Sequence, residues 1–289
     1  KGPADGTVGA SEKIVYHVDP LHPTHAGVRY MVKPYHERVT KELEHHGKNH
    51  TLGWGEMTSQ ALYHAAGIGD LHQRVHVAEH DMPDHPKEPA LVVKMDPEFQ
   101  PVYGDEVLSP KAKADARKIA VMDFLANNKD RHAYNLLYRR GPSGLLAIDH
   151  GRCYQYHKPR VSSREKDRFS DYVTYSALDD LHPITQSKYT DPDDKVPADV
   201  FARQVMRDYA STFKWWGESS KKVRQAFAKR LEQIRDPEVR DHVKRNFEAR
   251  ADWLDERANY GLENYGEDWY NHPVDMYAPG VKSWREKDA

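Results

Sequence analysis

The sequence predicts a two-lobed α+β fold, with a small mixed strand-and-helix N-lobe and a larger, mainly helical C-lobe. Three observations carry this expectation. Residues 1–95 combine short apolar strand patterns with a single helical pattern. A Pro- and Gly-punctuated stretch at 96–104 reads as a hinge. Residues 105–262 then hold the long helical patterns, and 263–289 form an aromatic-rich tail.

The elements follow in order. Gly6–Lys13 is a small-residue loop whose bare N–H groups, including those of Gly9 and Ser11, could fold over phosphates. Ile14–Val18 and Val28–Pro34 read as strands, with Lys33 near the end of the second. Trp54–Gly67 reads as a helix closed by glycine, with Glu56 in its first turn and Leu62, Ala65 and Ala66 on an apolar side. Ala90–Asp96 is a further apolar strand, running into the hinge. Ser109-Pro110 caps a helix through about Ala126, with Ile119, Ala120 and Phe124 facing the core. After Gly151, residues 152–195 are polar and irregular. Three helices are expected beyond them, starting near Pro197, Ser220 and Pro237, the last ending at Gly261.

The chemistry concentrates where the Ser109-capped helix ends. The run Asn127-Asn128-Lys129-Asp130-Arg131-His132-Ala133-Tyr134-Asn135 places Asp130 and Asn135 five positions apart. Such spacing lets one loop offer both a base and a metal ligand for phosphoryl transfer. The strand Leu136-Leu137-Tyr138, the turn Gly141–Gly144 and the strand Leu145–Ile148 then lead to Asp149, a second carboxylate at a strand end. Magnesium takes oxygen ligands and keeps some water, so Asn135, Asp149 and phosphate oxygens suffice. Asp130 and His132 both remain candidates for handling the proton of an acceptor hydroxyl. Arg131 suits a phosphate, or an acidic group that shapes the loop. Upstream, a lysine for the α/β-phosphates and a glutamate to pin it are required, and Lys33 with Glu56 is the expected ion pair.

At these residues the chain resembles the phosphatidylinositol 3/4-kinase-like superfamily, an atypical branch of the kinase fold. The elements that carry the resemblance are Asp123-x-x-x-x-Asn128-x-Asp130-Arg131-His132-x-x-Asn135 and Ile148-Asp149-His150-Gly151. The opening segment through Lys13, with Tyr30-x-Val32-Lys33-Pro34, is closer to the HipA-like serine/threonine kinases. The matching motifs span residues 6–151. The resemblance implies that Lys33 contacts ATP and Glu56 holds it, that Asp130 and His132 serve the acceptor hydroxyl, and that Asn135 and Asp149 bind Mg²⁺. Separately from the resemblance, no basic amphipathic or apolar membrane-docking segment is evident, which favours a protein serine or threonine over a lipid as acceptor. His150 stands where kinases usually have the Phe of Asp-Phe-Gly, and no His-Arg-Asp order occurs. A catalytically inactive kinase-fold scaffold, a lipid kinase and an adenylyltransferase are the alternative readings.

Composition sets the outer bounds. With 289 residues the chain can bury a sizeable core and divide into two lobes. Its 43 basic and 45 acidic side chains give no bulk attraction to nucleic acid or to a membrane surface. No apolar run approaches a membrane span and no signal-peptide pattern opens the chain. The single cysteine, Cys153, excludes an internal disulfide and suits a reducing, cytoplasmic setting. Eighteen histidines invite a zinc reading at His22 and His25, or at His45, His46 and His50, but these segments lack the four N/S ligands of a structural site. Trp215 and Trp216 read as core residues of a helix. Walker A and G-x-S-x-G patterns are absent, which argues against a P-loop NTPase and a serine hydrolase. Tyr265, Trp269, Tyr270, Tyr277 and Trp284 make the tail a candidate surface for a protein partner.

Overall fold

A computed structural model describes residues 14–17, 29–34, 52–79, 89–96, 98–101, 109–128, 131, 135–139, 144–154 and 198–265. The expectations for Gly9, Ser11, Asp130, His132, the five loop histidines, residues 155–197 and the tail beyond Tyr265 lie outside these. The described architecture is mixed α+β, with two small antiparallel sheets and four long helices.

The first sheet contains β1 (Ile14–His17), β2 (Arg29–Pro34), β3 (Val75–Glu79) and β4 (Pro89–Met95), in the order β1-β2-β4-β3. Alternation along β2 and β4 gives this sheet two apolar faces. Val32 packs with Ala90 on one face, and Val75, Leu91 and Val93 pack with Met31 on the other. Lys33 pairs with Leu91 and Met31 with Val93, so the lysine shares the second face. That face meets α1 (Leu52–Ala65). Gln60 of α1 ties the two together, accepting from the Val75 N–H at 2.7 Å and donating to the Val75 carbonyl at 3.2 Å.

The helix α1 starts at Leu52, two residues before the sequence reading, so Glu56 lies just past the first turn rather than within it. Gly67, with φ +72°, closes the turn after the helix, where a left-handed residue without a side-chain penalty is needed. Gly55, in the first turn of α1, has a different task. A Cβ there would lie 2.5 Å from the carbonyl oxygens of both His150 and Gly151, so only glycine lets α1 sit on that turn.

The second sheet is β5 (Phe99–Pro101), β6 (Leu136–Arg139) and β7 (Leu145–Ala147). Thus part of the stretch expected as a hinge is a strand, held by pairing of Phe99 with Arg139 and Pro101 with Leu137. A single parallel bridge from His72 to Ala147 joins the loop before β3 to this second sheet. Helix α2 (Pro110–Leu125) starts as its sequence demands, with Ser109 accepting from the Ala112 N–H and Pro110 in the first helical turn.

Among the described residues, two helices, not three, follow residue 197. Helix α3 (Ala198–Leu231) runs straight through Ser220. Phe213, Trp216, Ser220, Val223, Phe227 and Leu231 are all buried and recur every three or four residues, so one packing face spans the expected break. Helix α4 (Pro237–Tyr265) also continues past Gly261, since one glycine costs a long helix only about 1 kcal/mol. Asp236 caps α4 by accepting from the Glu238 and Val239 N–H groups. The pair α3–α4 closes around Phe227 against Phe247, with ring centroids 4.7 Å apart. Arg224 bonds both Asp252 and Asp255, and Trp216 donates to Asp255. No helix among the described residues is long and apolar enough to cross a membrane.

The contact at Gly55 yields a stability prediction. Gly55→Ala must displace α1 from the His150-Gly151 backbone, an overpacking cost of about 1–3 kcal/mol. Urea denaturation checks it, and an unchanged midpoint would contradict the close approach.

Candidate active site

Three elements converge on Lys33. Its side chain is buried near the end of β2 and is ion-paired with Glu56 of α1. Its Nζ also lies 3.5 Å from Asp149 Oδ1, in the turn after β7. Burial alone pulls a lysine pKa down, but Glu56 and Asp149 more than offset this, and Lys33 ends above its usual value. The lysine is therefore a fixed cation, not a base. Asp149 differs from its partners: 45% of its side chain is exposed, so its carboxylate faces the lysine while remaining open to solvent.

Behind this triad sits Arg131, buried, with all five of its N–H donors accounted for. Two go to Asp123, at 2.8 and 3.0 Å, in a buried fork-to-carboxylate pair. Two reach the carbonyls of Asn135 and Ile148, at 2.5 and 2.7 Å. The fifth points to His150 Nε2 at 2.9 Å. Of the two roles the sequence allowed for this arginine, the structure takes the loop-shaping one. Asn128 adds a bond to Asp123 at 2.9 Å. One guanidinium therefore gathers α2, the start of β6 and the end of β7. The Ile148 N–H also bonds the Asn135 carbonyl at 3.1 Å, so the segments carrying Asn135 and Asp149 are adjacent.

His150 and His72 are the site residues that sequence reasoning missed. Their rings stack, with centroids 4.0 Å apart and planes 21° from parallel, and Tyr63 packs edge-on against both. The hydrogen bonds assign their tautomers. His72 must donate from Nδ1 to the Gln73 carbonyl, leaving Nε2 to accept from the Ser59 hydroxyl, each at 2.6 Å. His150 accepts from Arg131 at Nε2, so its proton is on Nδ1, 3.8 Å from Glu56 Oε2. Burial lowers the pKa of His72 to about 3. Burial, then His72, Arg131 and Lys33, hold His150 well below its usual value. Both rings are neutral. The Asp149-His150-Gly151 motif signals one of them, but nothing near His72 in the sequence points to the site.

Glu56, His72 and His150 place donor atoms within 4.8 Å of one another, the separation a metal ion would need. Their geometry does not suit one. Nearly parallel stacked rings keep their lone pairs in separate, nearly parallel planes, whereas zinc needs donors converging tetrahedrally on one point. Lys33 and Arg131 also bring positive charge to the same spot. Asn135 and Asp149 are the better candidates for a hard divalent ion, because both offer oxygen and Asp149 is open to solvent.

Backbone strain gathers at this site too. Among the described residues, positive φ at a non-glycine occurs at Asn127 (52°), Asp149 (56°) and Tyr154 (55°). Asn and Asp tolerate this region, but a tyrosine rarely enters it. Each such residue costs on the order of 1–3 kcal/mol and persists only where its surroundings over-determine it. Cys153, beside Tyr154, is buried with its thiol pKa pushed well up, so it is no nucleophile.

No protein-family model matches the chain, and no characterised protein matches it significantly in sequence.

The neutral state of His72 has a pH consequence. An unfolded histidine takes up a proton near pH 6.5, whereas folded His72 does so only near pH 3. Its contribution to stability is therefore full above pH 6.5 and falls as pH drops from there toward 3. The loss approaches about 1.4 kcal/mol per pH unit. Denaturant titrations at several pH values between neutrality and pH 4 should give a shallower slope for His72→Phe than for wild type. Parallel slopes would contradict the neutral, buried ring.

Proposed function

We propose that this chain is an ATP- and Mg²⁺-dependent phosphotransferase of the atypical, phosphatidylinositol 3/4-kinase-like kinase fold. One observation carries the reading: a buried lysine from a β-strand is held by a helix glutamate and lies beside a half-exposed aspartate at the end of another strand. Phosphoryl transfer is mainly positioning and charge neutralisation, and these are the charges it needs. A two-lobed arrangement, with β1–β4 and α1 as one lobe and the remainder as the other, belongs to the same proposal.

In this reading Lys33 donates to the α- and β-phosphate oxygens, and Glu56 keeps its side chain extended. Asn135 and Asp149 supply oxygen ligands for the magnesium that travels with ATP. Held there, magnesium would neutralise the charge that develops on the transferring phosphoryl group. Asp130 or His132 orients the acceptor hydroxyl and takes its proton as that oxygen bonds to the γ-phosphorus. The bond from phosphorus to the β–γ bridging oxygen breaks, and ADP leaves. Arg131 contributes by holding the loop, not by touching phosphate, because its donors are already used. The acceptor in this reading is a protein serine or threonine hydroxyl, because no basic amphipathic or apolar membrane-docking segment is evident in the sequence.

The test uses ATP labelled either at the γ-phosphate or in the adenosine, with Mg²⁺ and a mixed protein acceptor. Transfer of γ-label to protein is expected from wild type. Asp149→Ala should reduce it by on the order of 100-fold or more, as for removal of a group aimed at developing charge. Label carried as AMP would identify an adenylyltransferase, and transfer only to added lipid a lipid kinase. The absence of both transfer and any thermal stabilisation by Mg²⁺ and ATP would leave a scaffold, since binding to the folded state must raise its stability.

A further inference from the structure

Two chain corners frame the site, and both are anchored to one helix remote in sequence. The first corner is Ala126-Asn127-Asn128, where α2 gives way to the loop. The second is Cys153-Tyr154, where the turn that starts at Asp149 ends. Asn127 and Tyr154 both adopt left-handed backbone conformations. The corners are bonded to each other, the Tyr154 N–H donating to the Ala126 carbonyl at 2.9 Å. Helix α4 then grips each of them. Arg250 donates to Asn127 Oδ1 at 3.0 Å and lays its guanidinium 4.9 Å from the Phe124 ring centroid. His242 Nε2 bonds the Tyr154 carbonyl at 3.0 Å, and Asn246 Nδ2 donates to the His242 carbonyl at 2.9 Å. Both Arg250 and His242 are buried. Strained backbone relaxes unless something holds it, and here the holding groups lie on α4.

We propose that Arg250 and His242 are positioning residues of the candidate active site, clamping the two left-handed corners so that the loop bearing Asn135 and the turn bearing Asp149 keep their mutual placement. The proposal rests on the phosphotransferase reading for its functional consequence, but not for the clamp itself. Neither side chain need touch nucleotide. Their effect passes through main chain: from Asn127 toward the loop, and from Tyr154 back through the Cys153 N–H, which bonds the His150 carbonyl at 2.9 Å. Removal of the clamp should weaken metal-dependent nucleotide binding while sparing contacts that need no metal.

Two measurements on the full chain test this. Hydrogen exchange of the nucleotide-free protein reads the clamp alone, through the hydrogen-bonded amides of Asn127, Asn128, Cys153 and Tyr154. Arg250→Met should speed all four, whereas Arg224→Ala should not. Arg224→Ala breaks the α3–α4 bonds to Asp252 and Asp255 farther along the same helix, so it controls for a general loosening of α4. Calorimetric titration with ATP, with and without Mg²⁺, reads the consequence. Arg250→Met should cut the magnesium-dependent gain in affinity by on the order of tenfold, with metal-free affinity changed by less than about threefold. Arg250→Lys, which can still donate to Asn127, should retain most of the gain. If Arg250→Met does not fold, His242→Gln tests the second corner by the same readouts. Exchange that does not quicken at both corners overturns the clamp, as does an Arg224→Ala variant that loses the gain equally. If wild type itself shows no magnesium-dependent ATP binding, the functional reading fails, and the exchange data alone decide whether α4 holds the corners.

Discussion

A buried lysine cannot stand alone in a protein interior, and that constraint organises the region around Lys33. Removing one member of a buried ion pair typically costs about 3–5 kcal/mol, because the remaining charge loses its compensation. Lys33 is fixed by strand register opposite Leu91, on the face that meets α1. Glu56 must therefore come to it, which sets the position of α1 against β2. Gly55, one residue earlier, must then sit directly on the backbone of His150 and Gly151. The place of Asp149 beside the lysine follows from these two contacts. A single pairing requirement thus aligns a strand, a helix and a turn that are far apart in sequence.

The second tier of order is Arg131. Its fully used donors bind Asp123, two strand-end carbonyls and His150, which in turn stacks on His72 and so reaches Ser59 of α1. Desolvating a guanidinium is costly, and only complete hydrogen bonding with a buried carboxylate offsets it. The neutral imidazoles continue the network without adding charge between Lys33 and Arg131. Their parallel stack is also what makes the Glu56–His72–His150 group unsuitable for a metal ion despite its suggestive composition.

Much of this was legible in the sequence because it depends on local pattern. Ser109-Pro110 fixed the start of α2, and Gly67 marked the end of α1. The strand carrying Lys33 and the helix carrying Glu56 could be read from apolar periodicity, so their ion pair was an arguable expectation. What escaped was whatever depends on tertiary contact. The loop histidine His72 has no motif, and its role comes only from stacking on His150. Ser220 and Gly261 looked like helix breaks, yet α3 and α4 pass through both, and around Ser220 a continuous buried face outweighs weak local propensity. The role of Arg250 is illegible for the same reason, since its partner Asn127 is more than a hundred residues away.

The central claim is that Lys33, Asn135 and Asp149 face one nucleotide–metal complex. A crystal structure with Mg²⁺ and a non-hydrolysable ATP analogue tests it most directly. The account requires Asn135 and Asp149 oxygens at about 2.1 Å from one magnesium ion, with Lys33 on the phosphate chain and still paired to Glu56. Nucleotide bound elsewhere, or a metal ion that engages neither Asn135 nor Asp149, would contradict it.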